Sequence, residues 1–316
     1  MAELALIIGN GFDIDLGLAS KYSDFADSPE FRDLARRMHN MYHEEERQYS
    51  LVLQIQQASF NSNWFDIEEE IHKYVVDHPS LDENIIRLVR AEFDALKKAL
   101  TAYLNRITSK FTAGEKKLST ILYDRLRECP LTVTEIYFNY TNPQQYMKLP
   151  LKPELFNGGQ HWFTYVHGSL RDNDIVLGCD LQPNEQVNRQ LSFMYKYNML
   201  KKANHVAKNI LEAKEIIFFG HSINEMDFCY FREFFKVASA APEPIRHLTI
   251  ITYDEESERN IKDNIRNQGI SVSDLYSNLR TLDFIHTKNV YAGGKEDVEK
   301  WEGMMQRIMA QDRHGL

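Results

Sequence analysis

Short apolar runs separated by segments of helical periodicity constrain the fold of this 316-residue chain more than any other feature. Seven such runs read as buried strands, the last more weakly than the others: Leu4–Ile8, 135–138, 163–166, 175–177, 216–219, 248–252 and 281–285. Strands without polar alternation that are joined by helices are typical of a parallel sheet covered on both faces. The sequence therefore predicts an α/β fold with a Rossmann-like, mostly parallel sheet.

A long helical stretch interrupts this pattern directly after the first strand. Between residues 81 and 108 apolar side chains recur at steps of three and four, and Asp82 lies where an acid favours a helix start. We expect a Rossmann-like core formed by residues 1–28 and 130–316 and a helical insertion, or lid, over 29–129. Two more amphipathic helices are expected at about 186–213 and 254–268.

Composition excludes several classes of protein. The 37 basic and 46 acidic residues give a net charge of −9, so no overall basic field attracts nucleic acid or an anionic membrane, although a local basic groove stays open. No apolar run approaches the roughly 20 residues of a membrane span, and the first residues lack signal-peptide features. The three cysteines form no CxxC pair. We expect a cytoplasmic protein with reduced thiols and no metal.

The first strand runs into a glycine-rich turn, "GNGFD", which comprises Gly9, Asn10, Gly11, Phe12 and Asp13. Glycines let a backbone approach a phosphate, and ligands of parallel sheets bind at the carboxyl ends of the strands. The alternative is a plain turn. A conventional dehydrogenase is disfavoured because the third glycine of its signature is missing, and the P-loop pattern is absent.

Polar turns also follow three later strands. The candidate ligand-binding residues there are Asn139, Tyr140, Thr141, His167, Gly220, His221, Ser222 and Asp227. Taken singly, the asparagine is a turn former, the His-Gly pair is a turn with a surface imidazole, and 222–227 is an N-capping turn. Because four strands end in this way, their joint occurrence indicates one shared ligand site.

The segment "NWFDIEEE" in the insertion, with Trp64, Asp66 and Glu68 to Glu70, has two interpretations. It is either a helix start whose first turn carries acids, which the helix dipole favours, or the source of a carboxylate that reaches into a cleft.

Together these motifs resemble a known family. The segments "IIGNGFDIDLGLASKYSDF", "NWFDIE", "FNYTN", "VHGSL" and "GHSINEMDF" are similar, in order and spacing, to the abortive infection AbiH family of bacterial phage-defence proteins. The resemblance runs from about residue 4 to residue 235 and implies a role in phage defence.

The same motifs resemble, more distantly, the sirtuin-like NAD-binding fold. Gly9, Gly11 and Gly17 match its glycines, whereas Ala19 stands in place of a proline and an arginine is not evident. The resemblance implies that Asn139 and His167 are catalytic and that the Gly220–Ser222 turn contacts the cofactor. The zinc-binding cysteines of sirtuins have no counterpart, so a protein-deacylating groove is not claimed. The resemblance to sirtuin-like defence proteins implies cleavage of NAD rather than deacylation.

The resulting hypothesis is an NAD glycohydrolase. Residues 9–12 would hold the pyrophosphate, Asn139 would orient the ribose or a water, and His167 would act as base. Asp13 or Glu68 would stabilise positive charge, and Ser222 and Asp227 would line the adenosine half.

Two other readings stay open: a non-catalytic nucleotide sensor, and an interaction protein whose helical insertion recognises a phage or host component. A nuclease is disfavoured by the acidic balance and by the lack of a clear metal-binding acid cluster outside "DIEEE". The trigger, the exact nucleotide and the oligomeric state, homo-oligomer or not, are left undetermined.

Overall fold

A computed structural model describes residues 3–61, 66–112, 117–147, 161–180, 188–196 and 200–310. These residues form one six-stranded sheet in which every pair is parallel, with the order β3-β2-β1-β4-β5-β6. The strands are β1 (Leu4–Ile8), β2 (Val133–Tyr137), β3 (His161–Tyr165), β4 (Glu215–Phe219), β5 (Glu243–Thr252) and β6 (Leu279–His286). The predicted α/β fold class is confirmed.

The apolar runs form strands because the central strands are covered on both faces. Every residue of β1, β2 and β4 is buried, as expected for a parallel sheet between helical layers. The chain builds β1, β2 and β3 in one direction and then crosses back to add β4, β5 and β6 on the other side of β1. The reversal puts the topological switch point between β1 and β4.

The helices, in chain order, are α1 (Asn10–Asp15), α2 (Tyr22–Ala26), α3 (Pro29–Met41), α4 (Leu51–Asn61), α5 (Ile67–Asp77), α6 (Glu83–Ser109), α7 (Leu118–Glu128), α8 (Pro143–Tyr146), α9 (Leu200–Glu212), α10 (Arg232–Ala240), α11 (Glu255–Asn267), α12 (Val272–Asn278), α13 (Thr287–Tyr291) and α14 (Lys295–Ala310). Seven α-helices lie between β1 and β2 in the part of the chain that the structure describes, which confirms the large helical insertion after the first strand. None of the helices among the described residues is both long and apolar enough to cross a bilayer.

The chain divides into two compact units. The first consists of Met1–Leu18, Thr112–Val166 and Met199–Leu316, and the second of Ala19–Phe111 and His167–Asn198. The sheet belongs to the first unit, where β1, β2, β4 and β5 and the phenylalanines of α10 share one apolar core. The domain boundaries at residues 28 and 129 stay a prediction.

Local sequence accounts for the main helix of the second unit. The predicted start of α6 is confirmed, because Asp82 is its N-cap and its side chain accepts a hydrogen bond from the Asn84 amide at 2.8 Å. The apolar face predicted from the periodicity is buried along most of the helix.

Two predictions of local structure are wrong. Residues 175–177 form no strand; this short apolar run is buried in irregular backbone, and a run of three residues does not distinguish the two states. The expected helix over 186–213 is also not continuous, since a 3-10 helix over Arg189–Met194 is followed by extended backbone at Tyr195, whereas α9 covers Leu200–Glu212.

Candidate functional site

The carboxyl ends of β1, β2 and β4 lie side by side in the first unit. Ile8, the last residue of β1, is in register with Tyr137 of β2 and with Phe219 of β4. The polar segments 9–13, 138–142 and 220–223 therefore leave the sheet at one edge, at and beside the switch point. This is the edge at which parallel sheets bind their ligands.

The glycines of the opening turn pack against the turn that follows β4. The Gly9 amide donates to the Phe219 carbonyl oxygen at 3.0 Å, and the Gly11 amide donates to the Gly220 carbonyl oxygen at 2.9 Å. A Cβ atom on Gly11 would lie 2.5 Å from the Gly220 Cα. The group that closely approaches the glycines of the opening turn is therefore the backbone of the β4 turn.

This packing engages amide groups that the phosphate hypothesis needs. Besides the Gly11 amide, the Phe12 amide donates to the Gly9 carbonyl oxygen at 3.0 Å. The Phe12 side chain is buried and packs edge-on against the rings of Tyr123 and Phe219. Asn10 is half-buried at the first position of α1, and Gly17 has a φ of +89° just beyond that helix. A pyrophosphate contact by these residues stays a prediction.

Asp13 is the centre of a buried polar cluster in the first unit. Its side chain is fully buried; Oδ2 accepts hydrogen bonds from Asn139 Nδ2 at 3.0 Å and from the Thr141 hydroxyl, and Oδ1 accepts one from the Tyr146 hydroxyl at 2.5 Å. Burial raises the pKa of Asp13 to about 6, although the three donors favour the ionised form and oppose this shift. Burial also raises the pKa of Tyr146, and the negative charge of Asp13 raises it further.

The hydrogen bonds determine the orientation of the Asn139 amide. The Thr141 hydroxyl has one proton and donates it to Asp13, so it can only accept from the Asn139 atom that lies 3.0 Å away. That atom is therefore the amide nitrogen, which also donates to the Asp13 carboxylate. The other end of the amide, the buried Oδ1, has no hydrogen-bond partner among the described residues.

A buried acceptor without a partner is costly, by about 1–3 kcal/mol. Asn139 is only 8 % exposed. A ligand or water that donates a hydrogen bond to Oδ1 would remove this cost, so the arrangement suits recognition of a hydroxyl or of a water. Tyr140, between the two polar partners of Asp13, is also buried.

His221 is held in one tautomer at the carboxyl end of β4. Its Nδ1 accepts a hydrogen bond from the Ile223 amide at 2.9 Å, so the neutral ring carries its proton on Nε2, 3.6 Å from Asp227 Oδ2. The ring packs edge-on against Phe138 and Phe231. Ile223 has a φ of +49°, a strained conformation for a β-branched residue and one often found at functional sites.

The N-capping interpretation of 222–227 applies to Asn224, whose Oδ1 accepts a hydrogen bond from the Asp227 amide at 2.9 Å, and not to Asp227. Asp227 precedes a 3-10 helix over Phe228–Tyr230, but its side chain makes no capping hydrogen bond there; the carboxylate lies near His221 instead. Ser222 is exposed, and its carbonyl oxygen accepts a hydrogen bond from Asn264 at 3.1 Å.

His167 and Glu68 belong to the second unit. His167 is 6 % exposed, so the interpretation as a surface imidazole is wrong, and its carbonyl oxygen accepts from the Val176 amide at 2.8 Å. Glu68 lies in the first turn of α5 and pairs with the buried Lys196 ammonium at 2.7 Å. The catalytic roles of His167 and Glu68 stay predictions.

The helix-start interpretation of "NWFDIEEE" is confirmed for its described part. Asp66 is the N-cap of α5 and accepts from the Glu68 amide at 2.8 Å, with three glutamates in the first turn. Trp64 lies outside the described residues.

Two contributors were missed by reasoning from sequence. Tyr146 reaches Asp13 because Pro143 begins the short helix α8, which turns the chain back; a proline after a polar turn was a usable signal. Lys196 had no local signal. In the parts of the chain that the structure describes, no group of three or more His, Cys, Asp or Glu residues could hold a metal ion.

Comparison with known proteins gives one match. Neither the curated proteins nor the solved structures include a match to this chain. The profile of the family described as bacteriophage abortive infection AbiH matches residues 5–245, which contain β2, β4, all of β1 except Leu4, and the Asp13–Asn139 cluster. This chain belongs to the bacteriophage abortive infection AbiH family.

Proposed function

We propose that this AbiH protein acts in abortive infection by binding NAD at the carboxyl edge of β1, β2 and β4 and hydrolysing its N-glycosidic bond. The observation that carries the proposal is the Asn139 side chain, whose amide nitrogen is held by Asp13 and whose buried Oδ1 has no protein partner among the described residues. The sheet order, with its switch point beside this cluster, supports a nucleotide as the ligand.

The chemistry needs little beyond positioning. The bond between ribose C1′ and the pyridinium nitrogen breaks, and its electron pair neutralises nicotinamide as the leaving group. A water oxygen adds to C1′ and gives up one proton, so the products are nicotinamide, ADP-ribose and H⁺. Asn139 Oδ1 would accept from a ribose hydroxyl or from this water. His167 stays the base predicted from the sequence.

The charge of Asp13 suits this reaction. The sugar becomes cationic as the leaving group departs, and an ionised carboxylate hydrogen-bonded to Asn139 would stabilise positive charge there. Because Asp13 has three hydrogen-bond donors of its own, it acts on the sugar electrostatically and through Asn139 rather than by direct contact.

The test follows nicotinamide release from NAD by chromatography, with a thermal-shift measurement of NAD binding alongside. Asn139→Ala should abolish release. Asn142→Ala is the matched control, because Asn142 is buried in the same segment but donates to the Tyr165 hydroxyl instead of Asp13. His167→Ala, measured separately, tests the predicted base.

Three outcomes are informative. Release that is lost in Asn139→Ala and kept in Asn142→Ala supports the hydrolase. A stabilising shift with NAD but no release rejects hydrolysis and favours a nucleotide sensor. If nicotinamide is not released and NAD causes no thermal shift, NAD is not a ligand of this protein.

A further inference from the structure

We propose that Asp13 is a positioning residue whose ionised carboxylate, stabilised by the Tyr146 hydroxyl, holds the Asn139 amide so that Oδ1 faces a hydrogen-bond donor of the ligand. The ligand group assigned to Asn139 is then a hydroxyl, the ribose of the nucleotide, and not a phosphate or carbonyl oxygen. The identity of the ligand rests on the proposed function. The control of the Asn139 amide orientation by the ionisation of Asp13 does not.

The two oxygens of the Asp13 carboxylate accept hydrogen bonds from different donors. Among the described residues, Oδ2 accepts hydrogen bonds from the Thr141 hydroxyl and the Asn139 amide, whereas Oδ1 accepts one from the Tyr146 hydroxyl at 2.5 Å. All three are donors, so they fit a carboxylate that accepts and does not donate. An ionised Asp13 therefore holds the nitrogen of Asn139 against the carboxylate and leaves the buried Oδ1 at the far end of the amide.

Protonation of Asp13 changes this arrangement. A protonated Asp13 carries an O–H donor, which the Asn139 carbonyl oxygen can accept once the amide rotates by half a turn. Rotation removes the acceptor that would meet a ribose hydroxyl and presents an NH₂ group instead. The ionisation state of one buried carboxyl thus determines which chemistry Asn139 offers.

Tyr146 sets the pH at which this change occurs. Burial raises the pKa of Asp13 to about 6, and the Tyr146 hydroxyl is one of the donors that limit the rise. Removal of that hydroxyl raises the pKa further, because a charge-assisted hydrogen bond to the ionised form is lost. The amide is held at pH values above the pKa and released below it.

The other titratable groups nearby are engaged elsewhere. Tyr123 of α7 packs on Phe12 and bonds to Glu135 and to Tyr137. Asp15 of α1 accepts from Ser119 and from Tyr291. At the end of β4, His221 faces Asp227. Among the described residues, Tyr146 is therefore the titratable group that bonds directly to Asp13.

The experiment reads the Asn139 side-chain amide directly in the full-length protein without ligand. Its ¹⁵N–¹H signals are assigned by their loss in Asn139→Asp and followed between pH 5 and pH 8. We expect a transition near pH 6 in the parent protein, a midpoint higher by about one unit in Tyr146→Phe, and no transition in Asp13→Asn. Tyr165→Phe, which removes a tyrosine hydroxyl bonded to Asn142 in the same segment, is the control that keeps the parent midpoint.

An Asn139 signal that does not change between pH 5 and pH 8, or a midpoint that Tyr146→Phe leaves in place, would overturn the inference. The Tyr146→Phe result decides the matter if Asp13→Asn does not fold. NAD affinity measured over the same pH range should fall tenfold per unit below the same midpoint. If NAD binds at no pH while the amide transition behaves as expected, the proposed function fails and the positioning role of Asp13 stands.

Discussion

Gly220→Ala, in the turn after β4, should destabilise the protein far more than Gly17→Ala, just beyond helix α1. Gly220 has a φ of +64°, so an L side chain at this position costs about 1–2 kcal/mol in backbone strain. Its Cβ atom would also lie 2.4 Å from the Cα and C atoms of Gly11 and from the nitrogen of Phe12. These atoms are backbone and cannot rotate away, so the turns after β1 and β4 must separate.

Overpacking of this kind costs a further 1–3 kcal/mol, so the total loss is about 2–5 kcal/mol. Gly17→Ala is the matched control, because Gly17 has a φ of +89° but nothing lies within 4 Å of the added methyl group. It should lose only the backbone part. The smaller entropy of the unfolded alanine chain affects both variants equally and cancels in the comparison.

Urea denaturation at 25 °C measures the difference. With a slope of about 3 kcal/mol per M, the Gly220→Ala midpoint should lie about 0.3–1 M below that of Gly17→Ala. Equal midpoints for the two variants would refute the close backbone contact between the β1 and β4 turns. The contact is also what engages the Gly11 amide, so that result would return this amide to the phosphate hypothesis.

Three further outcomes are expected from urea denaturation. Asp82→Ala removes the N-cap of α6 and should cost about 1 kcal/mol; an unchanged midpoint would reject the cap. Lys196→Met leaves the half-buried Glu68 carboxylate without the Lys196 ammonium and should cost about 3 kcal/mol, the lower end for a buried pair, part of which the double variant with Glu68→Met should recover. Burial raises the pKa of Glu92 to about 7 from 4.5, so its contribution is fully present below pH 4.5 and is lost as the pH rises to 7, by about 3 kcal/mol. Glu92→Gln should remove that pH dependence, and a variant that keeps it would assign the dependence to another group.

The strands and the insertion could be predicted because their signals are local. A strand buried on both faces needs an unbroken apolar run, and Leu4–Ile8 is such a run wherever its neighbours lie. The α6 helix shows its period and its cap within 28 residues. The same logic failed at residues 175–177, where three apolar residues are too few to separate a strand from buried irregular backbone.

The sequence by itself determined most of the strands, their parallel class and the polar residues at the strand ends. Only the tertiary structure decided that β1 lies between β2 and β4, that Gly11 packs on Gly220, and that Asp13 bonds to Asn139, 126 residues away. The physical reason is range: periodicity and capping act over one or two turns of chain. The orientation of a buried amide instead depends on which donors the whole fold brings to one carboxylate.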